Sequence, residues 1–237
     1  KERMIHSLWD ACQFLKDFEN HTSFSPTQVE YKFKEDITEH VTLRGIIDRL
    51  DIHANDMLRI IDFKSSQYSL SENSVKAGQQ LQLLSYLIIA KRLFQLTPAG
   101  AYYFSLKNSS YDVLAKKVVK TDVVETEWDE VSEFHRMLNT RRLKGWTFTD
   151  RYTELDENKE HITSVDREKD FDKVEESILA LYEKFYDEIT QGHIELSPTD
   201  NACTFCEYKS ICRFHGDKRK TKPLVSQDIK FSKGKEE

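Results

Sequence analysis

Two periods of hydrophobic and polar positions run along the chain, and they predict helices and strands in turn. Apolar residues three and four apart predict an amphipathic helix over residues 3–18, and a wide apolar face predicts a second over 77–94. A stripe of the same spacing predicts a helix at about 171–191. Alternation with a period of two predicts strands over residues 29–33, 41–52, 57–64, 101–107 and 113–119.

These elements predict one α/β domain over residues 1–196, in which helices flank a central mixed sheet. Within it, 121–145 has a helical pattern and 149–170 is polar enough for a long exposed loop. Residues 197–216 carry three cysteines, which predicts a small cysteine-rich metal knot. The lysine-rich residues 217–237 are predicted to be a disordered tail.

Composition narrows the class of protein. The chain has 237 residues, and a net charge of −6 argues against a protein that coats DNA through charge alone, although it allows a local metal site. No apolar run approaches the roughly 18 residues of a membrane span, and no signal peptide opens the chain. Because it begins with Lys1, we expect a fragment of a longer protein. Few and clustered cysteines indicate a metal centre in a reducing compartment rather than a disulfide scaffold.

The most informative stretch is a predicted hairpin centred on Asn55. Asp48 and Asp62 each lie seven residues from that centre and would face each other, with Cβ atoms roughly 4.5–5.5 Å apart. At such a short distance two carboxylates repel each other, and a hard divalent cation such as Mg²⁺ or Mn²⁺ would remove the repulsion. The strand period puts Lys64 on the same face as Asp62, where its ammonium could orient a water or offset phosphate charge.

The alternative is that both aspartates are ordinary strand-end carboxylates and Lys64 is their surface partner. The metal site depends on the register, because a shift of the turn centre would turn one strand over. Two neighbouring features favour a site. Gly45 permits close backbone approach, and Gln82 and Tyr86 share one face of the next predicted helix.

Together these motifs resemble the PD-(D/E)XK nuclease superfamily, specifically its RecB-like branch. The matching motifs are Gly45-x-x-Asp48, Asp62-Phe63-Lys64 and Gln82-x-x-x-Tyr86.

The resemblance implies a restriction-endonuclease-like fold and assigns roles to these residues. Asp48, Asp62 and the backbone carbonyl of Phe63 would bind the catalytic Mg²⁺ or Mn²⁺, and Lys64 would position the attacking water. The helix with Gln82 and Tyr86 would contact DNA and support the site. Glu30 matches an acidic residue on the preceding strand of that family, and a plain salt bridge is an equally good interpretation of it.

The second motif is Cys203-x₂-Cys206-x₅-Cys212, whose spacing suits one metal centre. Zinc could take His215 or His193 as a fourth ligand. The surrounding sequence is similar to AddB/RexB-type nuclease subunits, which implies a [4Fe–4S] cluster completed by one upstream cysteine. In this chain that cysteine would be Cys12, for which a buried core thiol is the alternative.

The same resemblance implies a metal-binding histidine upstream of the acidic motifs. His6 is the candidate in this chain, and an ordinary surface histidine is the alternative. Basic residues near the motifs are candidates for local DNA contacts, and they are Arg44, Arg49, Lys91 and Arg92.

Together these features predict a metal-dependent exodeoxyribonuclease of double-strand-break repair and recombination in the bacterial cytoplasm. Exonuclease activity and an AddA/RexA-like helicase partner follow from the resemblance alone. No P-loop motif occurs, so ATP-driven unwinding would not come from this chain. Two other classes stay open, namely a non-catalytic DNA-end-binding module of a helicase–nuclease complex and a structural zinc protein.

Overall fold

The computed structural model describes residues 2–54, 56–106, 142–149 and 169–193, together with 196, 198, 202–204, 206–212, 214 and 230–232. The strand predicted at 113–119, most of the helix predicted at 121–145 and most of the loop predicted at 149–170 lie outside these residues. No helix among them is both long and apolar enough to cross a membrane.

The described helices are α1 (Glu2–Asn20), α2 (Glu72–Lys76), α3 (Gln82–Phe94), α4 (Phe171–Thr190) and α5 (Lys209–Cys212). The strands are β1 (Ser25–Asp36), β2 (Thr42–His53), β3 (Met57–Lys64), β4 (Thr97–Ser105) and β5 (Lys144–Thr147).

One five-stranded sheet forms in the order β1-β2-β3-β4-β5. Neighbouring strands are antiparallel except β3 and β4, which run parallel. A parallel pair needs a crossover connection, and α3 lies in the chain between these two strands. The prediction of a mixed sheet flanked by helices is confirmed.

Each face of the sheet carries its own apolar core, because alternate residues of a strand point to opposite sides. On one face Leu50, Leu58 and Ile60 pack with α3 and with residues of α4. On the other face Ile61 and Phe104 pack with residues of α1. We call these the α3 face and the α1 face.

Helix α1 exists where the periodicity predicts it, and its buried stripe agrees with the predicted one only in part. Ala11, Phe14 and Phe18 form the buried stripe, and Phe14 packs on Phe104 with ring centroids 5.7 Å apart. The predicted stripe consists of Met4, Leu8, Ala11, Leu15 and Phe18. Ala11 and Phe18 are buried as predicted, whereas Met4 and Leu8 are 62% and 42% exposed. Each of these residues satisfies the helical period, so only packing against the sheet decides which of them are buried.

Three further expectations need correction. Ile189, at the end of the predicted α4 stripe, is 76% exposed, whereas Val174 and Leu181 are buried. Residues 144–145 begin β5 rather than end a helix. Phe231 lies inside the segment predicted to be a disordered tail. It is fully buried against Trp146, with ring centroids 5.6 Å apart, so the expectation is wrong for residues 230–232.

Candidate active site

The β2–β3 hairpin has the register that the sequence predicts. Pairs from Arg49–Ile61 to His53–Met57 are centred on residue 55, and Asp48 and Asp62 are the next residues beyond the last of these pairs. There the Phe63 amide donates a hydrogen bond of 2.8 Å to Asp48 Oδ2. The Asp48 side chain therefore binds the strand that carries Asp62.

Asp62 is a buried carboxylate whose negative charge is only partly compensated by its neighbours. Its side chain is 8% exposed, and Lys64 Nζ lies 2.6 Å from its Oδ2. That oxygen is buried and, within the described part of the chain, makes an ion pair but no hydrogen bond of ordinary geometry. Burial raises the pKa of Asp62, the Lys64 ammonium offsets part of that rise, and the charge of Asp48 adds to it.

A divalent cation fits this pair chemically. Asp48 and Asp62 offer hard oxygen donors, and the buried Oδ2 atom of Asp62 gains a second electrostatic partner beside Lys64 if a cation binds. The two carboxylates do not make a complete ligand set. Among the residues that the structure describes, no group of three or more His, Cys, Asp or Glu side chains is placed to hold a metal.

Tyr86 covers the strand just before Asp48. A Cβ at Gly45 would lie 2.5 Å from Tyr86 Oη, so only glycine leaves room for this ring. The ring also packs edge-on against Phe33, with centroids 5.0 Å apart. Gln82 Nε2 donates to Tyr86 Oη at 3.4 Å, so the helix pair expected from the sequence is formed next to the site.

Two tyrosines near the site were not predicted from the sequence. Tyr103 of β4 pairs with Asp62 in the parallel register, and burial raises its pKa to about 12, with Asp62 and Tyr68 adding to the rise. Tyr68 packs edge-on against Tyr103, with centroids 5.3 Å apart. The strand around Tyr103 was predicted, but no local pattern gives the register of a parallel pair.

Glu30 is not assembled with the two aspartates. The β1–β2 pairs on either side, Val29–Arg49 and Tyr31–Ile47, set its backbone near Asp48. Its side chain is exposed and its φ of 50° lies in the left-handed region that non-glycine residues rarely adopt. The three acids do not form a metal-holding group.

The described cysteines do not show the predicted metal knot. Cys206 and Cys212 are exposed and Cys203 is partly buried, and none belongs to a metal-holding group of described residues. Cys12 is exposed, so the alternative of a buried core thiol is wrong. It sits beside the buried stripe of α1 rather than on it.

Of the candidate histidines, the two that the structure describes belong to no metal-holding group of described residues. His6 Nε2 lies 3.8 Å from Asp10 Oδ2. His193 is exposed, and His215 lies outside the described residues.

Most of the basic residues suggested for DNA contacts are engaged within the fold. Arg49 is 5% exposed on the α1 face and bonds Asp51, so its assignment as a DNA contact is wrong. Lys91 pairs with Glu175 at 2.6 Å. Arg92 donates to the Ile37 carbonyl at 2.8 Å. Arg44 is exposed on β2 and stays a candidate.

Comparison with known proteins places this geometry in a family. The family model of the PD-(D/E)XK nuclease superfamily matches residues 2–213. Similar curated proteins are named as a subunit of an ATP-dependent helicase/deoxyribonuclease. The one from Carboxydothermus hydrogenoformans is 29% identical over 89% of this chain and 22% of its own length. Those from Listeria monocytogenes and Bacillus cereus are 26% and 28% identical, over 90% and 81% of this chain and 21% and 18% of their own lengths.

The chain thus spans about a fifth of the length of the curated relatives it matches. The match to the family model covers almost all of the sheet and helices described above, including both aspartates and Lys64. The chain belongs to the PD-(D/E)XK nuclease superfamily.

Proposed function

We propose that this chain hydrolyses phosphodiester bonds of DNA with Mg²⁺ or Mn²⁺ and acts as an exodeoxyribonuclease. The observation that carries the proposal is the pair formed by Asp48 and the buried Asp62, with the Lys64 ammonium 2.6 Å from Asp62 Oδ2. Burying a carboxylate next to a second carboxylate, with only one lysine to compensate both charges, costs stability in a site that is purely structural. The same arrangement suits a site that binds a cation during its function.

The residues divide the chemistry between them. Asp48, Asp62 and the Phe63 carbonyl would hold the metal, which when bound polarises the phosphoryl group and lowers the pKa of a water. The Asp48 bond to the Phe63 amide keeps these groups on two strands in one position. Lys64 can donate to the attacking water or to a phosphate oxygen, where developing negative charge needs a fixed cation.

Gln82 and Tyr86 act as supporting residues in this proposal. They lie on one face of α3, and Tyr86 is seated over Gly45 three residues before Asp48. We infer that they contact the DNA backbone through Gln82, which is exposed. Glu30 is exposed at the next strand and would join the site only if its side chain turned toward Asp48.

The biological setting is proposed from the names of the relatives. Those proteins are named as subunits of an ATP-dependent helicase/deoxyribonuclease, and all come from bacteria. We propose a role in double-strand-break repair and recombination in the bacterial cytoplasm, with DNA and an AddA/RexA-like helicase subunit as partners.

Residues 1–196 would form the nuclease domain and 197–216 a separate cluster-binding segment. Cys203, Cys206 and Cys212 would bind a [4Fe–4S] cluster, with the fourth cysteine either Cys12 or one outside this chain. The test is the iron and sulfide content of the anaerobically purified chain beside a Cys206→Ser variant. Zinc in place of iron would contradict the cluster.

Cleavage of end-labelled single-stranded DNA in Mg²⁺ and in Mn²⁺ tests the main proposal. We expect cleavage by the unmodified chain and a loss on the order of 10³-fold for Asp62→Asn, because one metal ligand supplies several kcal/mol to the transition state. Asp48→Asn keeps an oxygen that can accept from the Phe63 amide and should lose activity without loss of fold.

Equal cleavage by the unmodified chain and by both variants would contradict the proposal. A chain that binds DNA ends without cleaving them would favour a non-catalytic DNA-end-binding module instead. The observation that keeps this second candidate open is that the described residues supply two carboxylates rather than a full ligand set. Calorimetric titration with Mn²⁺, compared with Asp48→Ala, separates the two, because a binding module needs no metal at this pair.

A further inference from the structure

An exposed aromatic ring stands at the edge of the Asp48–Asp62 pair. Tyr68 follows β3 and is 46% exposed, although it is a large apolar side chain. Its ring packs edge-on against Tyr103, with centroids 5.3 Å apart and planes at 66°. Because Tyr103 is 5% exposed, the buried ring fixes the exposed one in position.

Lys64 ties this ring to the candidate catalytic groups. Its Nζ lies 5.9 Å from the ring centroid of Tyr68 and 5.5 Å from that of Tyr103, within the range of a cation–π contact. The same ammonium lies 2.6 Å from Asp62 Oδ2. A phosphate that reaches Lys64 therefore has the exposed ring of Tyr68 beside it.

A second lysine lies next to this pair of tyrosines. Lys144 of β5 is the antiparallel partner of Tyr103, and directly paired residues point to the same face of a sheet. Its Nζ donates to Gln67 Oε1 at 3.4 Å, next to Tyr68 in the chain. The arrangement is thus a half-exposed aromatic ring with the Lys64 ammonium near it and a second ammonium bonded to the residue that precedes it in the chain.

An aromatic ring interleaved with basic groups is the chemistry that holds an unpaired nucleotide. The ring stacks on the flat face of a base, and the ammonium groups neutralise neighbouring phosphates. Bases inside a duplex are already stacked on both sides, so this surface favours single-stranded DNA. Interior packing does not explain Tyr68, because almost half of its surface is open.

We propose that Tyr68 stacks on the base next to the phosphate held at Lys64, and that Lys144 contacts a neighbouring phosphate. This inference rests on the proposed nuclease function and names two specificity residues for it. Tyr68 recognises the base as a flat apolar surface, independent of sequence. Lys144 contributes charge alone.

The test compares binding of a single-stranded oligonucleotide with that of an otherwise identical strand carrying abasic sites. Ca²⁺ replaces Mg²⁺, and the protein is the full 237-residue chain. Stacking of one base is worth roughly 1–3 kcal/mol, so the unmodified chain should bind the strand with bases about 5- to 150-fold more tightly. Tyr68→Ala should remove that difference, and Tyr68→Phe should keep it.

Lys144→Gln should weaken binding of both strands equally and reduce the slope of log affinity against log salt by about 0.7. Trp9→Ala is the matched control, because Trp9 is also an exposed aromatic residue and lies on α1, which packs against the opposite face of the sheet. A fluorescent adenine analogue in the strand should be quenched on binding by the unmodified chain and not by Tyr68→Ala.

The outcomes separate this inference from the proposed function. If the unmodified chain cleaves DNA and Asp62→Asn does not, yet binding is the same for both strands, the stacking role of Tyr68 is overturned and the nuclease stands. If the preference for bases persists in Tyr68→Ala, the inference is likewise overturned. If the chain neither binds nor cleaves either strand, both proposals fail together.

Discussion

Both faces of the central sheet bury an aspartate, and the fold treats the two in different ways. On the α1 face Asp51 is fully buried between two arginines. Arg49 Nε donates to its Oδ1 at 2.7 Å, and Arg59 Nε donates to its Oδ2 at 3.1 Å. Arg59 also lies over the Phe24 ring, 4.4 Å from its centroid. Both carboxylate oxygens of Asp51 therefore have partners from the fold itself.

On the α3 face the buried aspartate has less positive charge around it. Asp62 faces one lysine and a second carboxylate, Asp48, and burial raises its pKa. Burial alone thus does not separate a structural carboxylate from one that we propose binds a metal. What separates them is whether the fold supplies enough positive charge and hydrogen bonds, because a shortfall leaves a place for a cation.

The largest difference in stability should come from removing each carboxylate in turn. Asp51→Ala leaves two buried guanidinium groups without their partner, so we expect the free energy of unfolding to fall by about 3–5 kcal/mol. Asp62→Asn removes a poorly compensated charge and should change it by less than about 1 kcal/mol. Urea denaturation measures both. A larger loss for Asp62→Asn than for Asp51→Ala would contradict the comparison.

Divalent metal should act on one face only. A ligand that binds only the native state at a hundred times its dissociation constant stabilises it by about 2.7 kcal/mol. We therefore expect Mn²⁺ to raise the melting temperature of the unmodified chain, and a chelator to reverse the effect. Asp62→Asn should show no such rise. An equal rise in both proteins would assign the metal to another site.

The α3 face also depends on close packing around Gly45. A Cβ there would lie 2.5 Å from Tyr86 Oη and 2.9 Å from the Phe33 ring, so Gly45→Ala must displace both rings. We expect a loss of about 1–3 kcal/mol in stability, together with weaker DNA cleavage. In a Tyr86→Ala background the same change should cost less, because the closer of the two clashes is gone. Additive losses would show that Tyr86 is not the obstacle.

The smallest expected effect concerns an exposed ion pair. It serves as a comparison for the buried carboxylates Asp51 and Asp62, because it has no contribution from burial. His40 Nδ1 lies 2.9 Å from Glu183 Oε2 and its ring stacks on Tyr186. The hydrogen bond to Glu183 raises the pKa of His40 above 6.5. Hydrogen bonds from Thr38 and then His40 lower the pKa of Glu183 below 4.5.

The sign of the pH dependence follows from these two shifts. The histidine part of the stabilisation is complete below about pH 6.5 and disappears as the pH rises through the raised pKa of His40. The glutamate part is present above about pH 4.5 and disappears as the pH falls through the lowered pKa of Glu183. The melting temperatures of the unmodified chain and His40→Ala should therefore differ more at about pH 5.5 than at about pH 8.5. A difference independent of pH would mean that the stacking on Tyr186 provides all of it.

Much of the site was predictable from the sequence because local rules govern a hairpin. The two-residue period and the turn position at residue 55 are enough to set Asp48 opposite Asp62. The contribution of β4 was not predictable in this way. Tyr103 lies next to Asp62 because β4 pairs in parallel with β3. The two strands are separated in the sequence by the crossover that contains α3, and no short-range pattern encodes the register of such a pair.

Charged residues show the same limit. Arg49 and Arg44 look alike in the sequence, five positions apart on one strand and of one residue type. Arg49 points to the α1 face and pairs with Asp51, whereas Arg44 is exposed. Which of them meets solvent depends on where α1 packs, and α1 itself could satisfy its period with more than one buried stripe.

The order of residues alone was therefore sufficient for the sheet-and-helix class, the hairpin, and the alignment of Asp48, Asp62 and Lys64, since each follows from the period of a strand or helix. The packing of the elements determined which face was left short of positive charge. It also placed Tyr68 and Tyr103 beside Lys64 and buried Phe231. The physical reason is that periodicity fixes direction along one element, whereas burial and charge balance depend on which elements pack together.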